Sequence, residues 1–180
     1  MGIVSNDLQH ECDRDVSGFE TILSGFFSSI GIYRETVTPQ MENKVKDVME
    51  FLEISHLKDK NMDKMSSGEA RRFLIGRALV HDPKALILDE PMSNLDIHAL
   101  HKFTGILSKL AKSGVNVILV TQNIQDIIPE ITRVVFMKNG KIAADGPKEE
   151  ILAGKKMSEL FNTPVEVEVK DGYYYAFRAE

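Results

Sequence analysis

The run Ala85-Leu86-Ile87-Leu88, closed by Asp89-Glu90-Pro91, constrains the fold more than any other stretch of the chain. Four consecutive apolar residues show neither the alternation of a half-buried strand nor the length of a helix. They read as a strand covered on both faces, as in parallel sheets. A second such run, "VNVILVT" at 115–121, reads as another buried strand, and a helical stretch from about Asp96 to Lys112 lies between the two. Strand, crossover helix and strand make a parallel unit, and so an α/β chain. The two carboxylates then fall at the carboxyl edge of the sheet, where open α/β folds hold their ligands.

Periodicity and punctuation place the other elements. "MGIVSND" is a short strand running into a loop, and residues 16–33 are a helix and a turn. Val45, Val48, Met49 and Leu52 share one face of a helix over 41–54. Ser66 or Ser67 caps the next helix, which carries Phe73, Leu74, Ala78 and Leu79 and ends before Pro83. After 121 a short helix runs to Pro129, and "RVVFMKNGKIAADG" is a hairpin turning at Asn139-Gly140. "PKEEIL" starts a helix, and "VEVEVK" and "YYYAFRA" form a second hairpin across Asp171-Gly172.

Composition narrows the class. A chain of 180 residues, 43% hydrophobic and 27% charged, is long and apolar enough for one folded domain with a core. Its net charge of −5 argues against a nucleic-acid face. The single Cys12 excludes an internal disulfide and a cysteine-built zinc site, and fits a reducing compartment. No basic-then-apolar leader stands at the N-terminus, so no signal peptide is expected. The apolar runs are too short to span a bilayer, so any membrane role passes through a partner.

Two groups of residues carry chemistry. At the strand end, Asp89 can reach Mg²⁺ and Glu90 can take a proton from a water attacking a phosphate. The plainer alternative is a capping Asp and a solvated Glu. Before the helix, Ser66, Ser67, Gly68 and Glu69 set hydroxyls and backbone N–H groups at a positive helix terminus, which suits an anion. The plainer alternative there is an ordinary capping turn.

The order and spacing of these groups resemble the ATP-binding cassette (ABC) ATPases from about Gly2 to Leu152. "MSSGEARRFLIGRAL" is similar to the family's signature motif and helix, "ALILDE" to its Walker B strand, and "PMSNLD" to its D-loop, with Asp96 at the Asp position. "RVVFMKNGKIAADGPKEEIL" resembles the strand pair and helix that close the nucleotide domain, and "GIVSNDLQ" resembles the Q-loop segment. "LSGFFSSIGIYRE" and the tail "SELFNTPVEVEVKDGYYYAF" resemble molybdate-type cassettes.

The resemblance implies a partial P-loop NTPase fold of the ABC type, mostly parallel sheet with helices, plus a helical signature subdomain. Its parts would be the signature subdomain at about 12–80, the Walker B half at about 83–160 and a C-terminal hairpin at about 161–180. ATP and Mg²⁺ are the implied cofactors. Two cassettes would sandwich two ATP molecules, with Ser66 and Gly68 on the γ-phosphate of the partner's ATP, Asp89 at Mg²⁺ and Glu90 as general base. The implied partners are a second cassette, identical or not, and a membrane-spanning permease, with no nucleic acid and no direct membrane insertion. The implied location is cytoplasmic, on the inner face of the cell membrane. "GFFSSIGIY" is either the permease-facing surface or the core of the helical subdomain.

The sequence also departs from the family pattern. G-x-x-x-x-G-K-[ST] does not occur in it: Gly140-Lys141 is followed by Ile142, and Gly154-Lys155 by Lys156. The chain therefore reads as a cassette beginning after its phosphate loop, with an apolar sheet edge left open. Asn6 falls where the Q-loop Gln is expected, and Gln9 stands three residues later; either amide could reach metal or water. Gln122 occupies the place of the switch histidine, and an amide can donate a hydrogen bond but cannot carry a proton at neutral pH. Of the five histidines only His98 and His101 share a helical face, and they read as surface residues. The first expectation is an ATP-binding subunit whose family reaction is ATP hydrolysis coupled to transport, with no turnover by these residues alone. The alternative is a catalytically inactive cassette, regulatory or assembling, that lends its signature turn to a partner's ATP.

Overall fold

The computed structural model describes residues 1–5, 15–29 and 36–179. They form two compact units, Met1–Thr121 and Gln122–Glu180.

The first unit holds a three-stranded parallel sheet in the order β1 (Gly2–Val4), β2 (Ala85–Asp89), β3 (Asn116–Val120). Its helices are α1 (Gly18–Leu23), α2 (Pro39–Phe51), α3 (Ser67–Leu79) and α4 (Ile97–Lys112). Each start is written in the sequence. Ser17 caps α1 in a reciprocal box with Glu20, and Thr38 followed by Pro39 opens α2. Asp96 caps α4, and Gly114 at φ 92° follows its end.

Helices α1, α2 and α3 close around Ile22, Val45, Met49, Leu52, Phe73 and Ile75, none more than 2% exposed. Each such side chain contributes roughly 2 kcal/mol through burial. Small residues let the helices approach. A Cβ at Gly18 would lie 2.3 Å from the Phe73 ring, and one at Gly76 would lie 2.7 Å from Ile22.

Register sorts the sheet into two unlike faces. Val4 and Leu88 are aligned across β1 and β2, Leu86 with Val117 and Leu88 with Leu119 across β2 and β3. Leu86 and Leu88 are fully buried, with α3 against β1 and α4 against β3. Ile3, Ile87 and Ile118 line up on the opposite face, where Ile3 is 54% and Ile118 48% exposed. The sequence reading of two fully buried strands is therefore corrected. β2 is covered on one face, and β3, an edge strand among the described residues, is half-exposed along its length. The exposed apolar side chains of this sheet are Ile3 on β1 and Ile118 and Val120 on β3.

The second unit is built on two hairpins. β4 (Arg133–Lys138) and β5 (Lys141–Pro147) turn through Asn139-Gly140 at φ 53° and 72°. β6 (Val165–Lys170) and β7 (Tyr173–Arg178) turn through Asp171-Gly172 at φ 52° and 81°. Two consecutive positive φ values suit the strand twist, which is why Asn-Gly and Asp-Gly stand there. α5 (Lys148–Ile151) and α6 (Gly154–Phe161) join the hairpins. Leu152, Met157 and Tyr174 make the core, with Ile124, Ile127, Val134, Phe136, Val165 and Val167 packed against it. The helix expected before Pro129 is only a 3₁₀ turn at Ile124–Asp126. Asn123 makes no side-chain cap, and Pro129 limits how far the turn can extend.

Candidate functional site

The turn that opens α3 is a built helix N-terminus. Ser66 is its cap: the Ser66 hydroxyl accepts from the Glu69 amide at 3.3 Å, and Glu69 accepts from the Ser66 amide at 2.8 Å. Ser66 and Ser67 are exposed, whereas Gly68 is buried. A Cβ at Gly68 would meet Ala99 Cβ at 3.0 Å, so the turn lies close against the start of α4 and a side chain there would push them apart. Lys60 Nζ is 2.7 Å from Glu69 Oε2. Burial raises the Glu69 pKa, but hydrogen bonds from Lys60 and from the Ser66 amide and hydroxyl, with the Lys60 charge, outweigh it and hold the carboxyl below its ordinary value. The turn thus presents hydroxyls and the positive end of a thirteen-residue helix, with its one carboxylate already neutralised.

The second element is the end of β2. Asp89 pairs with Val120 and is exposed at the carboxyl edge of the sheet. Glu90 carries the ladder one step further, its amide donating to the Val120 carbonyl at 2.9 Å. It then turns sharply, at φ 47°. A β-unbranched acid in the left-handed region is uncommon and costs about 1 kcal/mol or more, so the surrounding bonds must hold it. They do. The Ser93 amide and hydroxyl both donate to the Glu90 carbonyl, at 3.2 and 3.0 Å.

A guanidinium joins the two elements. Arg71, 5% exposed on α3, donates to the Pro91 carbonyl at 2.6 Å and to the Ser93 carbonyl at 2.8 Å. Its neighbour Arg72, 7% exposed, reaches the Gly68 carbonyl and the Glu53 carbonyl, each at 3.3 Å. Burial lowers both guanidinium pKa values, partly offset at Arg72 by the charges of Glu69 and Glu53.

The residues singled out in the sequence thus take definite places. Ser66, Ser67, Gly68, Glu69, Asp89, Glu90 and Asp96 all belong to the first unit. Asp96 is committed as the cap of α4, accepting from the Ala99 amide at 2.7 Å. Gln122 is exposed, two residues beyond β3, at the start of the second unit. Asn6 and Gln9 lie outside the described residues. Sequence reasoning passed over Lys60, Arg71 and Arg72. The two arginines had left a trace: consecutive charges inside an otherwise apolar helix are either paired or exposed, and these are buried.

No metal-binding group of three His, Cys, Asp or Glu exists among the described residues. A single exposed carboxylate at a sheet edge suits Mg²⁺ nonetheless, because that ion keeps waters and takes phosphate oxygens alongside one or two carboxylates. No described helix is long and apolar enough to cross a membrane.

The chain is similar to known proteins. The family model described as "ABC transporter" matches residues 2–93. An uncharacterised ABC transporter ATP-binding protein of Bacillus subtilis, YlmA, is 33% identical over the whole of this chain, which spans 69% of its length. The lipopolysaccharide export system ATP-binding protein LptB of Escherichia coli is 30% identical over 68% of this chain and 51% of its own length. Among solved structures, an inward-facing putative metal-chelate type ABC transporter superposes with a TM-score of 0.81 at 19% identity, covering 99% of this chain and 70% of that one. The cbiO1 protein of Clostridium perfringens, part of the ABC transporter complex cbiONQ, gives 0.72 at 28% identity, covering 89% and 62%. The chain thus spans between half and about seven-tenths of the length of these relatives.

Proposed function

This chain belongs to the ABC transporter ATP-binding family, and from that premise we propose that it contributes two separate half-sites to ATP held between cassettes. The observation that carries the reading is their joint presence in one unit: a capped helix terminus at Ser66–Glu69 and a carboxylate pair at the end of a parallel strand.

Each half-site has its own task. The Ser66 turn, with Ser67 and Gly68, faces the γ-phosphate of ATP held by a second cassette and meets its charge with hydroxyls and the α3 terminus. Lys60 keeps Glu69 from repelling that phosphate. Glu90 accepts the proton of the attacking water, and its turn fixes where the carboxylate sits. Asp89 would hold the magnesium, which when bound would offset phosphate charge. Gln122 takes the switch position as a hydrogen-bond donor, and Asn6 or Gln9 serves as the Q-loop amide. Asp96 contributes through the helix start it caps.

The reaction is ATP hydrolysis coupled to transport, with a permease as the membrane partner and the inner face of the membrane as the working place. The Walker A cradle is not among these residues, so hydrolysis requires it from elsewhere in the assembled cassette. The molybdate-type affinity rests on sequence resemblance alone, and the substrate is set by the permease.

The test is ATP-dependent pairing and turnover in the assembled cassette. Glu90→Gln should keep pairing and lower turnover at least about 100-fold, the usual share of a general base. Ser66→Arg should abolish pairing. Wild-type turnover in the first variant removes Glu90 from the base role, and intact pairing in the second removes the signature assignment.

Gln122 supports a second reading, a non-catalytic cassette that lends its turn to a partner's ATP. In that case pairing would need Ser66, yet turnover would be absent from the start at the site Glu90 serves.

A further inference from the structure

Arg71 lies on α3, whose first turn is one half-site, and reaches the turn that follows the other. Its guanidinium is buried, which is expensive unless each hydrogen bond is well used. Here bonds go to the 91–93 turn. One nitrogen donates to both the Pro91 and Ser93 carbonyls, and the other reaches the Ser93 hydroxyl at 3.3 Å. That hydroxyl in turn donates to the Glu90 carbonyl. A chain of bonds therefore runs from α3 to the backbone of the left-handed residue that carries the carboxylate. An apolar side chain would fill the space but would hold no carbonyl in place.

The neighbouring side chain acts on the first turn of the same helix. Arg72, one residue on, donates to the Gly68 carbonyl within the capping turn, where a Cβ on Gly68 would lie 3.0 Å from Ala99 Cβ. From adjacent positions on α3, one guanidinium braces the capping turn and the other the 90–93 turn.

We propose that Arg71 is a positioning residue for Glu90 that carries a displacement of α3, such as one caused by phosphate at the Ser66 turn, to the backbone of the Glu90 turn. This rests on the reading above, in which those two turns serve different ATP molecules. Arg71 then links the two sites within one chain.

Amide hydrogen exchange on the full chain tests the structural half. The Ser93 and Leu95 amides donate to the Glu90 and Met92 carbonyls. In Arg71→Met they should exchange about tenfold faster while residues 73–79 of α3 keep wild-type rates, and Arg71→Lys should restore part of the protection. Wild-type exchange at Ser93 and Leu95, or equal acceleration along all of α3, overturns the proposal, because Arg71 would then be inert or simply part of the core.

Turnover in the assembled cassette tests the catalytic half. Arg71→Met should lower kcat at least about tenfold with KM for ATP within twofold, and should cost nothing further in a Glu90→Gln background. A full additional loss in that background overturns the link through Glu90. Wild-type turnover by Glu90→Gln alone sinks the base assignment and the catalytic role of Arg71 with it. Impaired Glu90→Gln beside a normal Arg71→Met sinks only the latter.

Discussion

Lys60 Nζ sits 2.7 Å from Glu69 Oε2, the same oxygen that accepts the Ser66 amide. One carboxylate oxygen thus serves a capping box and an ion pair together. Their side chains are 34% and 22% exposed, so solvent screens the pair only in part. Lys60→Met should cost about 0.5–1 kcal/mol in urea unfolding. By leaving a bare carboxylate beside the proposed phosphate position, it should also weaken ATP-dependent pairing about three- to tenfold.

The same carboxyl gives stability a pH dependence of known sign. Its folded pKa lies below the ordinary value, so the folded state holds fewer protons than the unfolded one. The contribution is complete above the unfolded value of about 4.5 and disappears as pH falls through the folded one. The unfolding midpoints of wild type and Glu69→Gln should therefore differ at about pH 6 and converge at about pH 2. A difference that persists in acid would assign it to packing.

Gly18 faces Phe73 with no room for a methyl group, the ring atoms lying 2.3, 2.5 and 2.9 Å from an added Cβ. Gly18→Ala should destabilise by about 1–3 kcal/mol, measured by denaturant unfolding. Combining it with Phe73→Leu should cost less than the sum of the two single changes, because both act on one space.

Ile118 stands 48% exposed on the open face of the sheet beside Ile87. Ile118→Lys should leave the unfolding midpoint within about 0.5 kcal/mol of wild type. It should also reduce self-association in sedimentation velocity, since it breaks an apolar row without removing a buried contact.

Much of this architecture was legible from local rules. Asn139-Gly140 and Asp171-Gly172 fixed both hairpins because few residues accept two positive φ values. Ser66 with Glu69 announced the start of α3, and the Val45–Leu52 spacing gave the buried face of α2. The burial of the strands was not legible. An apolar run such as Ala85–Leu88 says that apolar neighbours suit it, not that both faces have them here. α6 was missed because Met157, Leu160 and Phe161 form only one short apolar stripe. At the candidate site, the position of Asp89 and Glu90 at the end of the strand was legible from the apolar run before them. The contacts that Arg71 makes were not, beyond the hint of two consecutive charges in an apolar helix, since it meets its carbonyls across 20 and 22 residues of chain.

Glu90 holds its backbone at φ 47°, a conformation that glycine or asparagine would adopt with less strain. A saturation scan of this position, scored once for abundance in cells and once for work done, would therefore rank the twenty residues in two opposed orders. Glycine and asparagine would head the first ranking and fall to the bottom of the second. Random drift under selection for persistence alone would erode this position early. On the proposed role of Glu90, a lineage that keeps the acid here is one whose cassette is still used to turn over nucleotide.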